Sequence, residues 1–145
     1  MDQVQIAYHD RWESKLCRAI QSSYGKTAFF LHYYDELEAI LLSKPSSLLD
    51  LNSQLTQYLI DAFQIDCELK FSSSYQKTEE TDSQLIDLRD LIHPKNEYKD
   101  PNFQEQIYPQ VFEAKTGFLH NISALELLFT QGPQGIFHLE ACSAK

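Results

Sequence analysis

Apolar residues recur every three or four positions in three stretches of the first half of the chain. This spacing lines one face of a helix and predicts helices over residues 9–24, 28–42 and 48–63. Gly25 and Pro45 follow the first two, and Ser47 with Asp50 three positions later resembles a capping box for the third. The predicted apolar faces are Trp12, Leu16, Ala19 and Ile20 in the first helix, Phe30, Tyr33, Tyr34, Leu37 and Leu41 in the second, and Leu48, Leu51, Leu55, Tyr58, Leu59 and Ala62 in the third.

The second half of the chain has weaker periodicity. Residues 67–71 alternate apolar and polar side chains, which predicts a short strand, and residues 72–83 have the composition of a surface connection. Residues 85–92 fit either a short helix or an irregular buried segment. Residues 94–109 show no sustained period, and a connection of this length in a small domain is more often a binding loop or lid than a simple linker.

Order is predicted to return near the C-terminal end. Ser123 and Glu126 resemble a second capping box, opening a short helix that Gly132 and Pro133 terminate. Residues 135–139 are predicted to form a strand. The resulting fold class is α+β: a predominantly helical single domain, residues 1–145, with a few short strands.

Composition and charge limit the possible functions. The 145 residues match the usual size of one domain, and 43% hydrophobic and 12% aromatic residues supply enough apolar surface for a core. The 12 Lys and Arg against 21 Asp and Glu give a net charge of −9, which repels a phosphate backbone and excludes general nucleic-acid binding.

The cysteines and the chain start point to a cytoplasmic protein. Cys17, Cys67 and Cys142 are odd in number and far apart, which fits neither a disulfide framework nor a paired metal motif. The start lacks the basic and apolar regions of a signal peptide, and no apolar run is long enough to span a membrane. His9 and Glu13 lack a third ligand at suitable spacing, so neither a metal site nor a cofactor is predicted.

A cluster of scarce cations is the strongest candidate site. Arg89, His93 and Lys95 fall within seven residues, beside Asp87 and Asp90. Arg offers a fork and Lys a point charge to a phosphate or carboxylate, and His can exchange a proton near neutral pH. The alternative is structural: Arg89 pairs with a neighbouring aspartate, while His93 and Lys95 are only solvated.

Other polar and aromatic residues carry weaker signals. Asn52 lies on the predicted apolar face of the third helix, which favours a buried structural contact over a ligand contact. Cys17 lies next to the apolar face of the first helix and is more often an inert small hydrophobe than a nucleophile. Tyr98, Phe103 and Tyr108 lie in the aperiodic loop, where no periodic face buries them, and could stack on a sugar ring or base.

Several short motifs occur in order along the chain. In the first half they are Trp12 to Lys15, Tyr24, Phe29-Phe30, Tyr33-Tyr34, and Leu48, Leu49 and Asn52. In the second half they are Asp87-Leu88-Arg89, Ile92-His93-Pro94-Lys95, Tyr108-Pro109-Gln110-Val111-Phe112, Gly117-Phe118, Asn121-Ile122-Ser123, and Leu127-Leu128-Phe129 with Gly132-Pro133. Together these motifs resemble the WbqC-like protein family of bacterial surface-polysaccharide gene clusters. The resemblance covers about residues 12–139 and implies the later part of the family's fold, without an N-terminal portion that family members carry.

The resemblance implies a transferase-related protein of lipopolysaccharide O-antigen biosynthesis, by analogy one that transfers an aminoacyl group such as glycine to an amino sugar. The expected substrate is a small anionic molecule, a nucleotide-linked or carrier-linked sugar. For this reaction we assign His93 as catalytic base and Arg89 and Lys95 as the anion clamp, with Gln110 and Asn121 as further substrate-binding residues. The alternative is a non-catalytic binding or scaffold module that forms a homo-oligomer or docks on a partner chain.

Overall fold

The structure, a computed structural model, describes residues 4–72 and 103–143. Its helices are α1 (Trp12–Tyr24), α2 (Phe30–Leu42), α3 (Leu48–Ala62), α4 (Glu113–Thr116), α5 (Ala124–Gln131) and α6 (Gly135–Cys142), with a 3-10 turn at Gly132–Gln134 between the last two. The first three confirm the predicted helices. Among the described residues, extended pairing is limited to two isolated antiparallel bridges, Gln5 with Ser47 and Phe103 with Ser143.

The fold is therefore mostly helical, and the α+β class is supported only loosely. Residues 67–71, predicted as a strand, form neither a helix nor a strand. An alternating pattern produces a strand only where a neighbouring strand pairs with it through hydrogen bonds. The strand predicted at residues 135–139 is wrong, since these residues belong to α6. The apolar run there is too short to distinguish the period of a helix from the period of a strand.

Helix α2 is the centre of the core. It packs against α1, α3 and α5, and all five residues of its predicted apolar face are buried. Phe30 stacks on Tyr34 with ring centroids 4.5 Å apart and meets Phe129 of α5 at 5.1 Å. The backbone N–H of Phe29 donates to the Phe129 carbonyl at 3.1 Å. The two described parts of the chain thus share one hydrophobic core.

Helix α1 forms as predicted, but its buried face matches the predicted one only in part. Its buried residues are Glu13, Cys17 and Ile20, whereas Leu16 is 40% exposed. The periodicity argument counted only apolar side chains and so did not include Glu13 in the buried face. Its carboxylate instead pairs with Lys44 beyond the end of α2, at 3.0 Å, and this partner makes the burial of a charge acceptable.

Capping confirms the start of two helices. The Ser47 hydroxyl accepts a hydrogen bond from the Asp50 N–H at 3.0 Å, and the Ser123 hydroxyl accepts one from the Leu125 N–H at 3.3 Å. Within the part of the chain that the structure describes, none of the helices combines the length and apolar character that crossing a bilayer requires.

The C-terminal cleft

A cleft lies between the segment of residues 103–112 and helices α5 and α6. The segment is held along the end of α6 by two hydrogen bonds: the Gln104 N–H donates to the Cys142 carbonyl at 2.7 Å, and the Gln106 side-chain amide donates to the Ala141 carbonyl at 3.1 Å. The cleft is partly open and has a volume of about 250 Å³. This is just below the roughly 300–1,000 Å³ usual for drug-sized ligands, so the C-terminal cleft suits a molecule about as large as one sugar ring.

A buried carboxylate anchors the far end of this segment. Glu126 of α5 is only 4% exposed, and its Oε1 accepts a hydrogen bond from the Val111 N–H at 2.8 Å. The Tyr24 hydroxyl lies 3.5 Å from the other oxygen, and burial together with this carboxylate raises the pKa of Tyr24. Glu126 was predicted as part of a capping box, but it connects α1 and the 103–112 segment to α5.

Aromatic rings form much of the cleft wall. The Tyr108 ring meets Phe118 edge to face at 6.0 Å and the imidazole of His138 at 5.9 Å, and all three side chains line the cleft. Burial, followed by the charge of Glu126, raises the pKa of Tyr108, so its phenol stays protonated at neutral pH. A protonated phenol and an imidazole beside apolar ring faces can bind the hydroxyls and the C–H face of a sugar.

Among the described residues, the cleft lining has one acidic side chain, with an imidazole next to it. Glu105 lines the cleft, and its Oε2 pairs with Nδ1 of His120. The His120 ring also meets the edge of Phe118 at 5.4 Å. A carboxylate bound to Nδ1 of a histidine fixes the orientation of the ring, an arrangement that suits proton transfer at the other ring nitrogen.

The predicted substrate-binding residues have different environments. Asn121 lines the cleft and adopts a left-handed backbone conformation with φ of 50°. Gln110 forms a two-point contact with the backbone of Leu119: its Nε2 donates to the carbonyl at 2.7 Å, and its Oε1 accepts from the N–H at 2.8 Å. Gln110 therefore ties down the loop that carries Asn121, and its role toward a substrate remains a prediction.

The predicted cation cluster of Arg89, His93 and Lys95 lies outside the described residues, as do Tyr98 and the segments predicted for residues 73–83 and 85–92. The roles of the three cations remain predictions from the sequence.

Sequence reasoning did not single out the charged and imidazole groups of the cleft. Glu105 and His120 are 15 positions apart, a separation with no helical or strand significance. His138 lay within the wrongly predicted strand, where its direction could not be inferred. Of the cleft's aromatic residues, Phe103 and Tyr108 were singled out because they lie in an aperiodic loop, and Phe118 appeared only as part of a motif.

The structure also shows the surroundings of the candidate residues Cys17 and Asn52. Cys17 is buried, and that burial raises the pKa of its thiol, which disfavours the reactive thiolate. Asn52 is exposed, so the prediction of a buried contact is wrong: the buried side of α3 is centred on Leu51 and Tyr58. In residues 4–72 and 103–143, no three His, Cys, Asp or Glu side chains are grouped as a metal site needs.

These features define a mostly helical protein with a small aromatic cleft. Residues 1–102 match the model of the WbqC-like protein family. Because the match covers more than half of the chain, the chain belongs to this family. The match includes Arg89, His93 and Lys95, whereas the cleft begins just beyond its last residue. No curated protein and no solved structure matches the chain.

Proposed function

We propose that this protein is a transferase-related protein of bacterial surface-polysaccharide biosynthesis and that the C-terminal cleft receives a sugar. Family membership and the ordered motifs support the polysaccharide assignment. The observation that carries the ligand class is the lining of the cleft, where Tyr108, Phe118 and His138 surround a space the size of a sugar ring. Stacked aromatic faces combined with amide and hydroxyl groups are the usual means of binding carbohydrates.

The proposed reaction transfers an aminoacyl group, such as glycyl, to the amine of an amino sugar. The amine loses a proton and its nitrogen attacks the carbonyl carbon of the activated donor. A new amide bond forms while the bond from that carbon to the leaving group breaks, and the leaving group departs with the electron pair. His93 accepts the proton, and Arg89 and Lys95 neutralise the phosphate of the nucleotide or carrier.

Calorimetry with a nucleotide-linked amino sugar tests the assignment. Binding to the unaltered protein should weaken in each of the variants Arg89→Ala, His93→Ala and Lys95→Ala. Lys26→Ala is the matched control, because Lys26 is an exposed cation between α1 and α2. Equal affinity of all four variants and the unaltered protein would remove the anion clamp from the proposal.

Thiol labelling separately tests the cleft. Cys142 lines the cleft, whereas Cys67 is exposed elsewhere. A bound sugar should slow the labelling of Cys142 and leave that of Cys67 unchanged. Equal labelling rates of Cys142 with and without a saturating sugar nucleotide would contradict sugar binding in this cleft.

A docking role is the second candidate, and exposed apolar side chains favour it. Leu31 is 84% exposed, Ile107 76% and Phe137 67%, and these are high exposed fractions for large apolar side chains. A scaffold module would associate with itself or with a partner through such surface. Light scattering distinguishes the candidates: self-association without ligand binding supports docking, and a stable monomer that binds the sugar nucleotide supports the transferase.

A further inference from the structure

The charge of the cleft lining restricts which sugars it can accept. Among the described residues that line the cleft, Glu105 is the only acidic one, and this described lining includes neither Lys nor Arg. The whole chain also carries a net charge of −9. An anionic ring placed here would lose its hydration without gaining a cationic partner from the lining that the structure describes.

The aromatic walls favour positive charge as well. Tyr108 and Phe118 meet edge to face, so this contact covers one face of one ring and an edge of the other and leaves at least one face of each ring free of it. The face of an aromatic ring carries partial negative charge and attracts ammonium groups within about 6 Å. A carboxylate beside such rings is the combination that recognises a protonated amine.

We propose that the C-terminal cleft selects a small ring-shaped ligand bearing a protonated amine, whose ammonium group binds Glu105 while its ring lies against Tyr108 and Phe118. His120 occupies the Oε2 side of the Glu105 carboxylate, and among the described residues no hydrogen bond engages Oε1. The ammonium binds at Oε1. This inference rests on the proposed function, because it takes the cleft to be the sugar site, and it adds the charge class of the ligand.

Three hexoses of similar size and different charge test the inference. The ¹⁵N-labelled protein is titrated with glucosamine, glucose and glucuronate at about pH 6, where an ordinary amine is protonated. Glucosamine should shift the amide signals of Phe118, Asn121 and His138 with an affinity about fivefold above that of glucose, the upper value for a partly exposed ion pair. Glucuronate should bind more weakly than glucose.

Two variants separate the cleft from the net charge of the protein. Glu105→Gln keeps the shape of the side chain and an acceptor for His120, and it should abolish the preference for glucosamine. Glu140→Gln removes the same charge from an exposed position on α6 that does not line the cleft, and it should retain the preference.

Each contrary result has a distinct meaning. Stronger binding of glucuronate than of glucosamine overturns the amine selectivity and leaves the cleft as a sugar site. If Glu105→Gln still prefers glucosamine, the preference comes from the net charge of the protein, and the proposed role of Glu105 is overturned. If no sugar shifts any signal of the cleft, then both this inference and the cleft's part in the proposed function are wrong.

Discussion

Replacing Glu126 with alanine removes the side chain that connects three parts of the fold. Its carboxylate accepts the Val111 N–H at 2.8 Å and lies 3.5 Å from the Tyr24 hydroxyl, while the side chain is almost completely buried. The variant therefore leaves the Val111 N–H without an acceptor and creates a cavity beside α5. We expect it to destabilise the protein and to loosen the 103–112 segment that walls the cleft.

The expected loss of stability follows from the two contacts that the Glu126 carboxylate makes. A hydrogen bond to a charged acceptor contributes about 1.5–3 kcal/mol, and the 2.8 Å contact with Val111 should carry most of it. The contact with Tyr24 at 3.5 Å is at the limit of hydrogen bonding and should contribute less than about 0.5 kcal/mol. With the cavity included, we expect Glu126→Ala to lower the free energy of unfolding by about 2–4 kcal/mol.

Urea denaturation followed by tryptophan fluorescence measures this loss, since Trp12 is the only tryptophan of the chain. Glu126→Gln is the matched control: its carbonyl can accept from Val111 and its amide can donate to Tyr24, so it should cost less than about 1.5 kcal/mol. Tyr24→Phe removes only the hydrogen bond at 3.5 Å and should lower the free energy of unfolding least of the three variants. The reasoning is refuted if Glu126→Gln destabilises as much as Glu126→Ala, or if Tyr24→Phe destabilises more than either.

Two further predictions concern the packing of α5 and the buried ion pair. A Cβ at Gly132, which has φ of 57°, would lie 2.5 Å from the Phe29 ring, whereas Gly117, with φ of 68°, has nothing within 4 Å of a Cβ. Gly132→Ala should therefore lower the thermal midpoint more than Gly117→Ala, which adds only backbone strain of about 1–3 kcal/mol; equal shifts would contradict the clash. Hydrogen bonding to Lys44 holds the pKa of Glu13 below its ordinary value of 4.5, so the resulting stability is present above about pH 4.5 and is lost as the pH falls through the lower pKa of the folded state. The difference in stability between the unaltered protein and Lys44→Met, measured by urea denaturation, should be largest at neutral pH and shrink in acid; a difference independent of pH would exclude this ion pair as its source.

The sequence predicted the helical framework because the first three helices have regular apolar faces. All five apolar positions of α2 are buried, and Ser47 caps α3, since these features depend on residues one turn apart. The cation cluster at Arg89, His93 and Lys95 was equally visible, because it too is local in sequence.

Partners distant in the chain were decided only by the tertiary structure. The apolar pattern of α1 did not indicate that Glu13 is buried beside Lys44, and the capping pattern did not indicate that Glu126 accepts a hydrogen bond from Val111. The strand predicted at residues 135–139 is a helix because its neighbours are Phe63 and α5 rather than another strand. The cleft depends on the same kind of contact: Glu105 meets His120, and Tyr108 meets His138, across 15 or more positions of the chain. Periodicity reports which face of an element is apolar, whereas the partner of a polar group depends on how the whole chain packs.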